Sequence, residues 1–186
     1  MPRSTIVTFA PALAALTLAL TASAGLKSHG AHSVKFYAKG TVPGLSIDGT
    51  GDKLSVVEDG GKLKVSASLC NLKTKIDLRD EHLRKYLKVD CKGDVNTKAI
   101  LTVDKSKLDM PKDKEASGKG KGKLTLAGKT LDQEFSYTAK SEGGGYAVKG
   151  KMVVDAERYA GDTPTYLGVG VEKEIKVEVT FKLKDD

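Results

Sequence analysis

Hydrophobic and polar residues alternate one for one along most of this chain. The last run is the clearest. Val171, Ile175, Val177, Val179, Phe181 and Leu183 share one parity, interrupted only by Lys173, against Glu172, Glu174, Lys176, Glu178, Thr180 and Lys182. Successive side chains of a strand point to opposite faces, so this pattern predicts a long, half-buried strand. Residues 33–39 repeat it with Val34, Phe36 and Ala38, and Leu45 and Ile47 follow a Pro43-Gly44 turn. Residues 54–58 end at the turn signal Asp59-Gly60-Gly61, after which Leu63, Val65, Ala67 and Leu69 share a face. Residues 97–103, 118–126, 131–139 and 146–154 give further strands. His29 and His32 precede the first run, in a stretch read as loose. Residues 109–117 read as a polar connection, and residues 155–162 as a connection with room for one helical turn.

The period changes between Asn71 and Cys91. Leu78, Leu83, Tyr86 and Leu87 fall at helical spacing among Arg79, Asp80, Glu81, Arg84, Lys85 and Lys88. Asp77 is placed to cap this helix, because its carboxylate can accept from an unpaired first-turn N–H. Asp80 and Glu81 then lie at the positive end of the helix dipole, and the basic residues toward the negative end. The apolar stripe must rest on the strands, with Leu83 and Leu87 packed against them.

About eight strands joined mostly by short turns describe an all-β fold, an antiparallel β-barrel with a short helical insert at its mouth. The bulk of the inward face decides whether such a barrel is filled or hollow. That face includes Ala38, Ala67, Ala99 and Gly150. Gly118, Gly120 and Gly122 also share parity with Leu124 and Leu126, which leaves this face without side chains. A cavity is expected beside them, with room for the new side chain of Gly120→Leu. The apolar lining is assigned to Val34, Phe36, Ile47, Val65, Leu69, Leu83, Leu87, Leu101, Gly120, Gly122, Leu124, Leu126, Phe135, Val148, Met152, Leu167, Ile175, Val177 and Val179.

Residues 1–24 carry a basic start at Arg3, a short apolar run containing Pro11, and the small residues Ala22-Ser23-Ala24. This is the form of a secretory signal peptide, with residues 25–186 as the exported barrel domain, periplasmic or secreted. The run is shorter than the roughly 20 residues that span a bilayer, and no later stretch is apolar enough, so no transmembrane segment is expected after cleavage. Cys70 and Cys91 bracket the helical insert. In an exported chain an even pair favours a disulfide, two separate thiols being the alternative. Net charge is +7, but the lysines alternate with apolar residues as on solvated strand faces. With aromatic residues at 5% and no Trp, the chain offers few stacking platforms, and no nucleic-acid partner is expected.

The polar inventory points away from an enzyme. His82 is the one histidine inside a predicted element, with no ligand-like spacing around it. No catalytic group, metal or cofactor is assigned. A long apolar tail needs none, since it gains roughly 0.8 kcal/mol for each CH₂ removed from water.

The order of motifs KTKIDLRDEHLRKYLKVD, GKGKLTLAGKT and TPTYLGVGVEKEIKVEVTFKL resembles the YceI-like family over residues 33–183. The most specific piece is Ile76-Asp77-Leu78-Arg79-Asp80 with His82 and Tyr86-Leu87. The resemblance implies an exported, lipocalin-like barrel that binds a polyisoprenoid or similar long-chain amphiphile. It makes Arg79, His82 and Tyr86 head-group candidates, while Arg79, Asp80 and His82 could instead brace the helix. Thr74-Lys75, Cys91-Lys92-Gly93 and Ala127 depart from the family pattern at loop positions. Two functions follow: a carrier or sequestering protein for a long-chain lipid, or a ligand-free structural or interaction barrel.

Overall fold

Ten strands and two short helices build one β-barrel in the computed structural model, which describes residues 25–111, 114–166 and 169–185. The expected signal peptide lies outside the described residues. In chain order the elements are β1 (Leu26–Gly40), β2 (Ser46–Gly51), β3 (Leu54–Asp59), β4 (Lys62–Ser68), α1 (Asp77–Tyr86) and β5 (Lys98–Asp104). After one 3-10 turn come β6 (Glu115–Leu126), β7 (Lys129–Glu142), β8 (Gly145–Asp155), α2 (Ala156–Ala160), β9 (Thr165–Tyr166) and β10 (Val169–Asp185).

Eight of these strands close the ring in the order β1, β3, β4, β5, β6, β7, β8, β10 and back to β1, each pair antiparallel. The two long strands make the seam, with Val34 opposite Val179 and Phe36 opposite Val177. β2 pairs with the second half of β1 on the edge that β3 meets near Lys27. Closure removes the two free edges that an open sheet of these strands would have. Outward lysines meet carboxylates directly across the ladder, Lys121 with Glu134 and Lys123 with Asp132, each at 2.7 Å. Exposed pairs of this kind add little to stability, because water and salt screen them.

β1 begins earlier than the alternation indicates. It takes in His29 and His32, so neither lies in a loose stretch. An irregularity between His29 and Ser33 breaks the register there, with Gly30 in the left-handed region at φ 65°. That break hides the strand from a period-two reading. β6 likewise starts at Glu115, inside the stretch read as a polar connection.

The glycine face of β6 also departs from expectation. Gly118 stands opposite Tyr137 and Gly120 opposite Phe135 across the β6–β7 ladder. A Cβ at Gly118 would lie 2.8 Å from the Tyr137 hydroxyl, and one at Gly120 would run into the Phe135 ring. At Gly122 it would lie 2.6 Å from the Thr102 carbonyl oxygen. The Tyr137 and Phe135 rings of β7 lie over Gly118 and Gly120 and take up the missing volume, the device of pairing a strand glycine with an aromatic neighbour, while β5 crowds Gly122. This end of the barrel is solid. Leu26, Val56, Leu63, Phe181 and Leu183 pack there in one buried cluster, with Tyr146 and Val148 against it.

Candidate functional site

The other end is hollow. A cavity of about 750 Å³ runs from the middle of the barrel to the underside of α1. What makes the room is alanine. Ala67 and Ala99 face each other across β4 and β5, Ala38 lies on β1, and all three line the void. The walls are Val34, Phe36, Ile47, Val65, Leu69, Leu101, Leu124, Leu126, Met152, Ile175, Val177 and Val179, with Leu83 and Leu87 from the insert. Each is an assigned lining position that the fold brings to one space.

Four assigned positions fall elsewhere. Gly120 and Gly122 are covered as described, Phe135 is the ring that covers Gly120, and Val148 belongs to the solid end. Leu167 lies outside the described residues. The lining also gains residues not assigned from sequence. Ile76 and Leu78 precede and open α1, while Thr163 and Pro164 come from the α2–β9 loop and Thr165 begins β9. These sit in loops, at a helix start and in a two-residue strand, where no period-two signal marks an inward face. Ile76-Asp77-Leu78 is part of the most specific motif of the chain and Thr163-Pro164-Thr165 opens the last one, and these motifs are the sequence signals that point to them.

The insert is held over the cavity at three points. Cys70 and Cys91 form a disulfide at its base. At the start of α1, Thr74 donates both its backbone N–H and its hydroxyl to one Asp80 carboxylate oxygen, each at 2.7 Å. Lys73 stands 3.4 Å from the other oxygen. Asp80 is 1% exposed. Burial pushes its carboxyl up, but the Thr74 bonds and the Lys73 charge outweigh burial and hold it below the ordinary value. The expected cap is therefore corrected. Ile76 holds the N-cap position without a side-chain hydrogen bond, and Asp77 is a fully solvated first-turn residue. Asp80 acts through the loop before the helix.

The third point spans the barrel mouth. The Tyr86 hydroxyl donates to the main-chain carbonyl of Asp162 and, at 3.3 Å, to that of Ala156. α2 is seated in turn by Tyr159, which is 2% exposed and packs in the cluster of Leu101, Leu124 and Val154. Burial, with the Asp162, Glu157 and Asp155 carboxylates nearby, pushes the Tyr86 phenol up to about 12.

Arg79, His82 and Lys85 line the cavity from α1. Thus the assigned head-group candidates Arg79, His82 and Tyr86 all border the same space, joined by Lys85. Among the described residues no three His, Cys, Asp or Glu side chains gather as a metal site, and no helix is long and apolar enough to cross a membrane.

Residues 24–183 match the family model of the YceI-like domain, and the chain belongs to that family. Three solved structures share its fold. One is similar to it at 15% identity and a TM-score of 0.67, covering 88% of this chain and 99% of the other, a polyisoprenoid binding domain from Saccharophagus degradans implicated in plant cell wall breakdown. BcnA of Burkholderia cenocepacia aligns at 14% identity and a TM-score of 0.59, over 80% of this chain and 95% of its own. A Campylobacter jejuni YceI protein aligns at 21% and 0.54, over 78% and 89%. No curated protein matches the chain.

Proposed function

We propose that this YceI-like barrel carries or sequesters a long-chain amphiphilic lipid, of polyisoprenoid type, and performs no chemistry on it. The observation that carries the reading is the apolar cavity of about 750 Å³ walled by aliphatic side chains, with its polar groups gathered at the mouth, on and before α1 and in residues 162–165. Such a volume lies within the range of about 300–1,000 Å³ common for ligand sites. The tail would lie between β1, β4, β5 and β10, where Ala38, Ala67 and Ala99 leave space. Its head would rest against α1, near Arg79, His82 and Tyr86. Removing each CH₂ from water favours binding by roughly 0.8 kcal/mol, so a tail suffices for affinity. The polyisoprenoid assignment of the Saccharophagus degradans relative supports the ligand class. The disulfide and the signal-like residues 1–24 support an exported protein, periplasmic or secreted.

Organic extraction of protein purified from its native compartment, followed by mass spectrometry, tests this. An isoprenoid or other long-chain lipid in stoichiometric amount is the expected result. A lipid-free protein that also fails to bind added geranylgeraniol would leave the ligand-free interaction barrel as the better reading.

A further inference from the structure

The cavity border is charged in one sense on one side. Arg79 and Lys85 lie six residues apart on α1 with His82 midway, about 9 Å end to end along the helix axis. All three line the cavity, as does a single acidic residue, Asp162, on the opposite rim. Among the described residues no carboxylate stands within ion-pairing distance of either Arg79 or Lys85. Pairing with a carboxylate engages a minority of the described lysines and arginines, so the lack of it does not by itself set these two apart. What sets Arg79 and Lys85 apart is their place: both border the aliphatic cavity from one helix, where a head group at its mouth would meet them.

Resting on the lipid-binding reading above, we infer that the ligand's head group is anionic, a phosphate or carboxylate held between Arg79 and Lys85. The Arg79 guanidinium offers two parallel N–H groups to two head-group oxygens, and the Lys85 ammonium adds a point charge from the next turns of the helix. Charge-assisted bonds of this kind are about twice as strong as neutral ones. They act at a mouth open to solvent, with Lys85 exposed, so salt weakens them. The apolar tail fixes depth in the barrel, and the anion fixes which end faces α1.

Matched pairs of probes test the inference. Geranylgeranyl phosphate and geranylgeraniol share one tail and differ only in the head. The intact protein should bind the phosphate about tenfold more tightly or better, with the advantage shrinking as salt is raised. Arg79→Gln and Lys85→Gln keep helix-favouring side chains and should each cut that advantage severalfold. Lys119→Gln removes the same charge from the outer face of β6 and should leave the advantage intact. Equal affinity for the two lipids, or an equal loss in the Lys119 variant, would overturn the anionic head group while leaving the lipid cavity in place. Failure of both lipids to bind would overturn the cavity reading itself. Inorganic phosphate distinguishes a lipid head from a free anion. It should not displace geranylgeranyl phosphate at matched concentration, and displacement would overturn the requirement for a tail.

Discussion

The hydroxyl of Tyr86 on α1 donates to the main-chain carbonyl of Asp162 beyond α2, so one hydrogen bond ties the insert to the far rim of the barrel. Both residues line the cavity, and the bond closes the ring of polypeptide around its mouth. Tyr86→Phe should therefore lower stability at neutral pH by about 1 kcal/mol and speed lipid release. It should also change the alkaline limb. The phenol titrates near 10.0 in an unfolded chain and at about 12 in the fold. The folded protein thus keeps a proton that the unfolded chain sheds, and this stability, present at lower pH, is lost as pH rises across that window. Urea melts at about pH 8 and about pH 11 should show a shallower loss in the variant. An unchanged slope would mean that Tyr86 does not hold the latch.

Asp80 should matter at the acidic end. Its carboxyl lies below the ordinary value, so the stability it contributes is present above the usual range for an aspartate and fades as pH falls through its lowered value. Asp80→Asn removes the charge and sets an amide beside Lys73. The expected cost is about 1.5–3 kcal/mol at neutral pH, with less further loss on acidification than in the wild type. Denaturant midpoints at about pH 3 and about pH 7 measure both. An Asn variant as stable as the parent would show that Lys73 and Thr74 find equivalent partners.

Two substitutions separate the solid end from the hollow one. Gly120→Leu places a side chain into the Phe135 ring and should cost about 1–3 kcal/mol, with lipid affinity unchanged in the folded fraction. Ala67→Leu projects into the void and should fold with little loss while weakening lipid binding. Thermal melts and lipid titrations on the pair give opposite rankings. The same ranking for both would count against the division of the barrel.

The Cys70–Cys91 bridge closes a loop of 21 residues' separation around the insert. Replacing both cysteines by serine should lower stability by roughly 3 kcal/mol in the chain-entropy account. Lipid binding should weaken with it, because the lid loses its base. Calorimetric melts of the double variant, and titrations well below its midpoint, check the two effects separately.

Local features are legible in the chain alone. A strand writes its two faces into alternate residues, so alternation by itself marks β4, β8 and β10. A change of period announces α1, and two cysteines bracketing it announce the bridge. Each of these depends on neighbours a few residues apart or on a simple count. The three inward alanines are legible in the same way, and they do border the cavity.

The glycines are not, and the reason is register. Whether Gly120 faces a void or a ring depends on what stands across the ladder, and Phe135 arrives there only because the β6–β7 hairpin pairs as it does. Asp80 follows the same rule. The sequence offers it as a brace for the helix together with Arg79 and His82, yet the groups that hold it, Thr74 and Lys73, come from the loop before the helix, which buries it. Sequence by itself determined the strands, their inward faces and the presence of a lid, because those follow from side-chain period. Tertiary structure alone decided which inward positions touch one another and which touch empty space, because packing volume is shared between residues far apart in the chain.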